Sequence, residues 1–187
     1  MENNITRLIE EGLGMDLGDP NLTETPKRIA KMYKDFFTNY GKEPSQDILK
    51  RFPNDKKYDE IVLLDNIPFT SICSHHFLPF QGFAWFAYLP GAYLIGASKP
   101  ARLIHFYSKK PQLQENLAKE IIDYFVDKAR PQGAMLVMRA VRGCMATRGA
   151  CTGPGAGMVV SATFGAFRDN HATRMEALEL IRLSRTF

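Results

Sequence analysis

The sequence predicts an α+β fold: an antiparallel sheet with a central helix pair, preceded by an N-terminal helical arm. Three observations carry this. Segments of helical period and segments of strand character follow one another in the order α-α-β-β-α-α-β-β-α. The strands come in consecutive pairs, as hairpins do, rather than alternating singly with helices as in a doubly wound parallel sheet. The length of 187 residues, with 45% hydrophobic and 24% charged residues, suits one domain with an appended arm and is enough to bury a core.

Taken in order, Ile5, Leu8, Ile9 and Leu13 recur at helical spacing and predict an opening helix that ends near Gly12 or Gly14. Thr25 as N-cap and Pro26 at the first helical position start a second helix. Its apolar stripe is Ile29, Met32, Tyr33, Phe36 and Phe37, and Gly41 closes it. Residues 41–59 are polar, contain Pro44 and Pro53, and read as a linker. The chain therefore divides into an arm and linker over 1–58 and a body over 59–187. In the body, residues 61–64 and 69–72 read as two short strands, the aromatic stretch 80–89 as a longer one, and 93–95 as another. Pro100 opens a helix that runs to about Ser108. Pro111 opens the next, in which Leu113, Leu117, Ile121 and Phe125 fall four apart. Residues 134–141 and 157–167 are the last two strands, and 172–183 the last helix.

Composition excludes several classes. Three cysteines are too few, and odd in number, for a disulfide framework. No run of about 18 apolar residues occurs, so no transmembrane helix is expected. The start, Met1-Glu2-Asn3-Asn4, lacks the basic and apolar regions of a secretory signal, and the expected compartment is the cytoplasm. The net charge of +4 is unevenly spread: residues 1–60 carry 10 cations and 12 anions, residues 61–187 carry 14 and 8. After Lys128 every cation is an arginine: Arg130, Arg139, Arg142, Arg148, Arg168, Arg174, Arg182 and Arg185. The arginine fork suits phosphate and carboxylate. Without a long basic run, a small anionic ligand fits this distribution better than nucleic acid.

The densest chemistry is Cys73-Ser74-His75-His76. Cys73 and His76 can share a metal if the segment turns; Cys73 and His75 share a face if it is extended. Spacing alone does not choose. Further ligands would come from Cys144, Cys151, His105 or His171, and thiolate with imidazole favours zinc. Three protein ligands and one open position is the catalytic arrangement. Gly96-Ala97-Ser98-Lys99-Pro100-Ala101-Arg102 joins a strand end, a small-residue turn and a helix start, where backbone N–H groups can cradle phosphates. Gln112-Leu113-Gln114-Glu115 and Cys144-Met145-Ala146-Thr147-Arg148-Gly149 are two further clusters. Cys151 reads as a small hydrophobe, His105 as a packed or surface histidine, His171 as the entry of the last helix, and Trp85 as sheet core or interface.

Together these motifs resemble the GTP cyclohydrolase I family of the T-fold (tunnelling-fold) superfamily over most of the chain. The resemblance runs through Thr25-Pro26-Lys27-Arg28-Ile29-Ala30-Lys31-Met32-Tyr33, Cys73-Ser74-His75-His76, Pro79-Phe80-Gln81-Gly82, Ile95-Gly96-Ala97-Ser98-Lys99 with Arg102, Pro111-Gln112-Leu113-Gln114-Glu115, and Cys144 with Arg148-Gly149. It implies a T-fold of order ββααββ, zinc held by Cys73, His76 and Cys144, and His75 as the acid–base histidine. Glu115, helped by Gln114, would hold the guanine edge, and Ser98, Lys99, Arg102, Arg148 and Arg28 the triphosphate. It further implies GTP as substrate, a homo-oligomeric ring (a decamer) with sites between subunits, and a reaction that opens the imidazole ring at C8, releases formate and forms 7,8-dihydroneopterin triphosphate. Three features depart from the family. Arg142 stands at a catalytic position where the family has a histidine, and a permanently protonated guanidinium cannot shuttle a proton. Ser74 replaces a glutamate. The stretch Thr152-Gly153-Pro154-Gly155-Ala156-Gly157 replaces one rich in Ser and Thr. Two alternatives to the full reaction therefore stand: a zinc hydrolase that stops at ring opening or takes another purine triphosphate, and a non-catalytic zinc-binding protein of the same fold.

Overall fold

The computed structural model describes residues 1–153 and 155–184; Pro154 and Arg185, both named above, lie outside them. The arm starts with α1 (Glu2–Arg7), which continues as one wider turn over Leu8–Gly12. Helix α2 (Thr25–Phe36) packs on it through Ile5, Ile9 and Ala30. Thr25 is its first residue rather than its cap. The helix also stops at Phe36, five residues before Gly41, whose φ of 72° places it in the following turn. The stretch read as linker is not featureless. It contains β1 (Arg51–Pro53), which pairs antiparallel with β4 (Tyr93–Ile95) and so ties the arm's exit to the body.

Between them in sequence lie β2 (Val62–Cys73) and β3 (Pro79–Leu89), a long antiparallel hairpin. Its first limb is one strand, not the two predicted. The register shifts between Leu64 and Ile67, and Asn66 takes φ 48°. Asn tolerates the left-handed region that this bulge requires, so the polar Asp65-Asn66 pair bends the strand without ending it.

Helix α3 (Lys99–Ser108) follows. Pro111 does not open the next helix. Pro111–Gln112 form β5, a two-residue strand parallel to the end of β2, and α4 (Gln114–Ala129) begins after it. Proline is tolerated at this edge because no ladder bond needs its missing N–H. The Gln112 amide donates to Ser71 Oγ (3.1 Å) and the Tyr107 carbonyl (2.6 Å), which locks the bridge beside Cys73. Then come β6 (Gly133–Arg142), the one-turn helix α5 (Gly143–Ala146), β7 (Met158–Gly165), α6 (Ala166–Asp169) and α7 (His171–Ser184). The main sheet has the order β5-β2-β3-β6-β7. Strands β2, β3, β6 and β7 with α3 and α4 between the pairs give the ββααββ order. No helix among the described residues is long and apolar enough to cross a membrane.

Over residues 84–88 of β3 and 133–138 of β6 both faces are buried. Phe69, Phe80, Phe86, Leu136 and Met138 meet α3 and α4 through Leu103, Ile104, Leu117, Ile121 and Phe125. The Phe125 ring lies edge-on to Phe86 at 4.7 Å, a favoured aromatic geometry. Trp85, Ala87, Met135 and Val137 face the opposite way, toward Phe167, Ala177 and Ile181. Double coverage explains why 84–88 shows no alternation: a stretch buried on both sides has no polar face to show, whereas Gln81 and Phe83, nearer the strand's start, are exposed.

Gly82 fits the close approach of β3 to β6, since a Cβ there would stand 1.9 Å from the Arg139 carbonyl oxygen. Gly82→Ala is expected to lower unfolding free energy by about 1–3 kcal/mol or more through overpacking, as read by urea denaturation. Unchanged stability would contradict this strand spacing.

Candidate metal centre

Strand β2 delivers Cys73 to the sheet end and the chain then turns. The Cys73 N–H donates to the Leu78 carbonyl at 2.9 Å, and the Phe77 N–H donates back to the Cys73 carbonyl at 2.9 Å. Phe77 takes φ 52° to make this closure. Its ring packs on Tyr33 of α2 and on Phe37 just after the helix (6.0 and 5.4 Å), so the arm braces the turn that carries both histidines. The segment therefore turns instead of extending, the condition under which Cys73 and His76 can serve one metal.

The second half of the site comes from the end of β6. Arg142 pairs across the ladder with Phe80, and Gly143 then starts α5 so close to β3 that a Cβ would sit 3.0 Å from the Pro79 carbonyl. That approach brings Cys144 back beside Cys73. The ligand atoms of Cys73, His76 and Cys144 all lie within 4.8 Å of one another. Cys73 is buried, Cys144 half-buried and His76 exposed, so the cluster is walled on the core side and open on the other.

Burial pushes the Cys144 thiol above its usual range, the neighbouring Cys73 adds to this, and Arg142 pulls the other way. The Cys144 thiol therefore resists ionisation in this place. A divalent cation removes that penalty by binding both sulfurs, and metal uptake at such a site releases protons. Two sulfurs and one imidazole form a soft, three-ligand set suited to a metal that prefers tetrahedral N/S coordination and keeps one position open.

The other residues singled out from sequence are distributed as follows. His75 is exposed in the same turn, its ring 6.2 Å from and edge-on to that of His76, and outside the ligand trio. Arg142 is half-buried; its guanidinium lies 5.6 Å from the Phe80 ring centroid and Nη1 is 2.9 Å from Met158 Sδ. Ser98 and Arg102 are exposed around the first turn of α3, and Lys99 Nζ donates to the Asp47 carbonyl at 3.0 Å. Glu115 is exposed in the first turn of α4, Arg28 on α2, and Arg148 beyond α5. Gln114 is fully buried and its amide donates to the carbonyls of Met138 and Met158 at 3.1 and 3.2 Å, so here it ties α4 to β6 and β7. Cys151 is exposed and outside the trio, the His105 Nε2 lies 2.8 Å from the Pro68 carbonyl oxygen, and His171 starts α7. Sequence reasoning marked Gln112 as part of a motif without its supporting role and missed Phe77 and Met158; of these two only Phe77, an aromatic directly after two histidines, offered a local signal.

The model of the family described as GTP cyclohydrolase I matches residues 1–182. Relatives named GTP cyclohydrolase 1 include one from Clostridioides difficile (strain 630), 43% identical over 95% of this chain and 93% of its own. Another, from Desulforamulus reducens, is 39% identical over 95% and 94%. That of Bacillus subtilis (strain 168) is 40% identical over 94% and 92%. Among solved structures, the apo archaeosine synthase QueF-Like aligns at a TM-score of 0.44 and 16% identity, covering 56% of this chain and 93% of that one.

The geometry predicts one divalent ion per chain. Cys73→Ser and Cys144→Ser should each abolish stoichiometric binding of added zinc, whereas Cys151→Ser and His75→Ala should keep it, with metal content measured after gel filtration. In weak buffer the uptake should acidify the solution, and loading should weaken as pH is lowered. Retention of a full equivalent by Cys144→Ser would contradict the site.

Proposed function

Because the chain belongs to the GTP cyclohydrolase I family, we propose that it works as a hydrolase of that type: a zinc-dependent enzyme that opens the imidazole ring of GTP at C8, releases formate and forms 7,8-dihydroneopterin triphosphate. The observation that carries the reading is the convergence of Cys73, His76 and Cys144 within 4.8 Å in a chain matched by the family model almost end to end. The donor set fits zinc, which when bound supplies the Lewis acidity that makes water nucleophilic at neutral pH.

The chain's own residues do the rest. On this reading His75, exposed beside the trio and not one of its ligands, carries a proton to or from the reacting purine. The Glu115 carboxylate offers two acceptors for the N–H groups of a guanine edge. Ser98, Lys99 and Arg102, around the first turn of a ten-residue helix, supply N–H and cationic donors for phosphate, with Arg28 and Arg148 as further cations. In one chain these groups stand on separate elements. The reading therefore includes a homo-oligomeric ring, a decamer, whose subunit contacts assemble the pocket in the cytoplasm.

Arg142 favours a second reading, in which the reaction ends at ring opening. A guanidinium cannot exchange protons near neutral pH, and loss of one acid–base group typically costs about 10²–10⁴ in rate.

Zinc-loaded protein incubated with GTP is expected to yield both formate and a fluorescent pterin. Formate without pterin would select the second reading, and nucleotide binding with neither product would overturn both. His75→Ala should lose about 10²–10⁴ in the rate of formate release while keeping its zinc. If Arg142 limits the later steps, Arg142→His should increase pterin formed per formate released.

A further inference from the structure

We propose that Arg142 is the receptor for the one-carbon unit of the reaction, its guanidinium binding the formyl oxygen after ring opening and the formate carboxylate after release. The proposal rests on the ring-opening reading above and adds to it a residue with a role of its own.

Arg142 and Phe80 are cross-strand partners, as are Phe80 and Ser71, so the three form one row across β6, β3 and β2. Cross-strand partners share a face, and Cys73, two residues beyond Ser71, lies on that face as well. Cys144 follows Arg142 by two residues and packs into the same core cluster as Cys73 and Phe80. The Arg142 side chain thus shares a sheet face with the metal-ligating pair, and its charge acts on the Cys144 thiol.

Within one chain, among the described residues, the charge of Arg142 is not neutralised by a carboxylate. Its Nη1 contact is the Met158 thioether, a weak and uncharged acceptor, and its Nε is buried without a hydrogen-bond partner. The nearby sulfurs do not supply a lasting counter-charge, because a divalent ion bound to both thiolates cancels them. A half-buried cation left in this state is expensive unless an anion visits it.

The form of the group says which anion. The guanidinium is planar, it lies over the flat Phe80 ring, and its N–H donors form a fork that matches the two oxygens of a carboxylate. Formate is the smallest carboxylate and arises at this centre under the proposed reaction. A formyl amide presents one of the same oxygens in advance. Arg142 on this account is a fixed donor, which needs no proton exchange and so uses the property that disqualifies it as an acid or base.

The test separates an oxygen receptor from a mere counter-ion to the thiolates. Binding of ¹³C-formate to zinc-loaded protein is followed by NMR line broadening, and zinc affinity by competition with a chromophoric chelator. Wild type should bind formate. Arg142→Gln should weaken formate binding by about tenfold or more with zinc affinity unchanged, in keeping with loss of charge-assisted hydrogen bonds. Arg142→Lys, which keeps the charge and loses the fork, should fall between them and serves if the glutamine variant folds poorly. The proposal is overturned if wild type does not bind formate, if formate affinity is the same in all three proteins, or if zinc affinity falls in step with formate affinity. Absence of formate release from GTP would instead count against the ring-opening reading, since the binding measurement does not depend on turnover.

Discussion

The register of three antiparallel strands is the constraint on which this molecule depends. The row Ser71–Phe80–Arg142 places the end of β2 and the end of β6 on either side of one β3 residue. A slip by a single residue would turn every side chain to the opposite face and separate the two cysteines. The core prevents that slip. Phe80, Phe86 and Met138 are committed to the α3–α4 layer, Trp85 and Val137 to the α6–α7 layer, and neither set tolerates exchange. Gly82 lets the two strands approach closely at the same level. Packing energy spent far from the site is what sets the distance between Cys73 and Cys144.

Around that frame, short-range devices finish the centre. The Cys73–Leu78 closure returns His76 toward Cys73, and the arm steadies it through the Tyr33, Phe37 and Phe77 rings. The Gln112 amide pins β5 beside Cys73 from the other side. Polar groups converge on a cluster whose inner ligand is buried and whose outer ligand, His76, faces outward. Burial raises the cost of bare thiolates, and a cation offsets it. A metal bound there would couple its own binding free energy to the stability of this corner of the fold.

Much of this was legible from residue patterns. Hairpin pairs around a helix pair, the period of Leu117, Ile121 and Phe125, and the proline at the start of α3 all translate directly into observed elements. The failures have physical causes. A bulge looks like a break, because Asp65-Asn66 reads as a turn when the neighbouring strand is not known. Pro111 signals a helix start and also tolerates an edge bridge, and only the hydrogen bonds of Gln112 decide between them. Strand β1 is three residues long and has no pattern of its own; β4 supplies its reason. For the metal centre, local spacing left four candidate partners for Cys73 and His76. The choice of Cys144 came from resemblance, and its geometry from a ladder invisible to local periodicity. Gln114 shows the reverse case: a residue marked by motif whose side chain, within one chain, holds two strand carbonyls.

Zinc-edge X-ray absorption of the loaded protein tests the centre most directly. Two sulfurs at about 2.3 Å and a nitrogen or oxygen shell at about 2.0–2.1 Å are expected from Cys73, Cys144 and His76 with one further light ligand. A shell without sulfur, or one with a third sulfur drawn from Cys151, would contradict the site described.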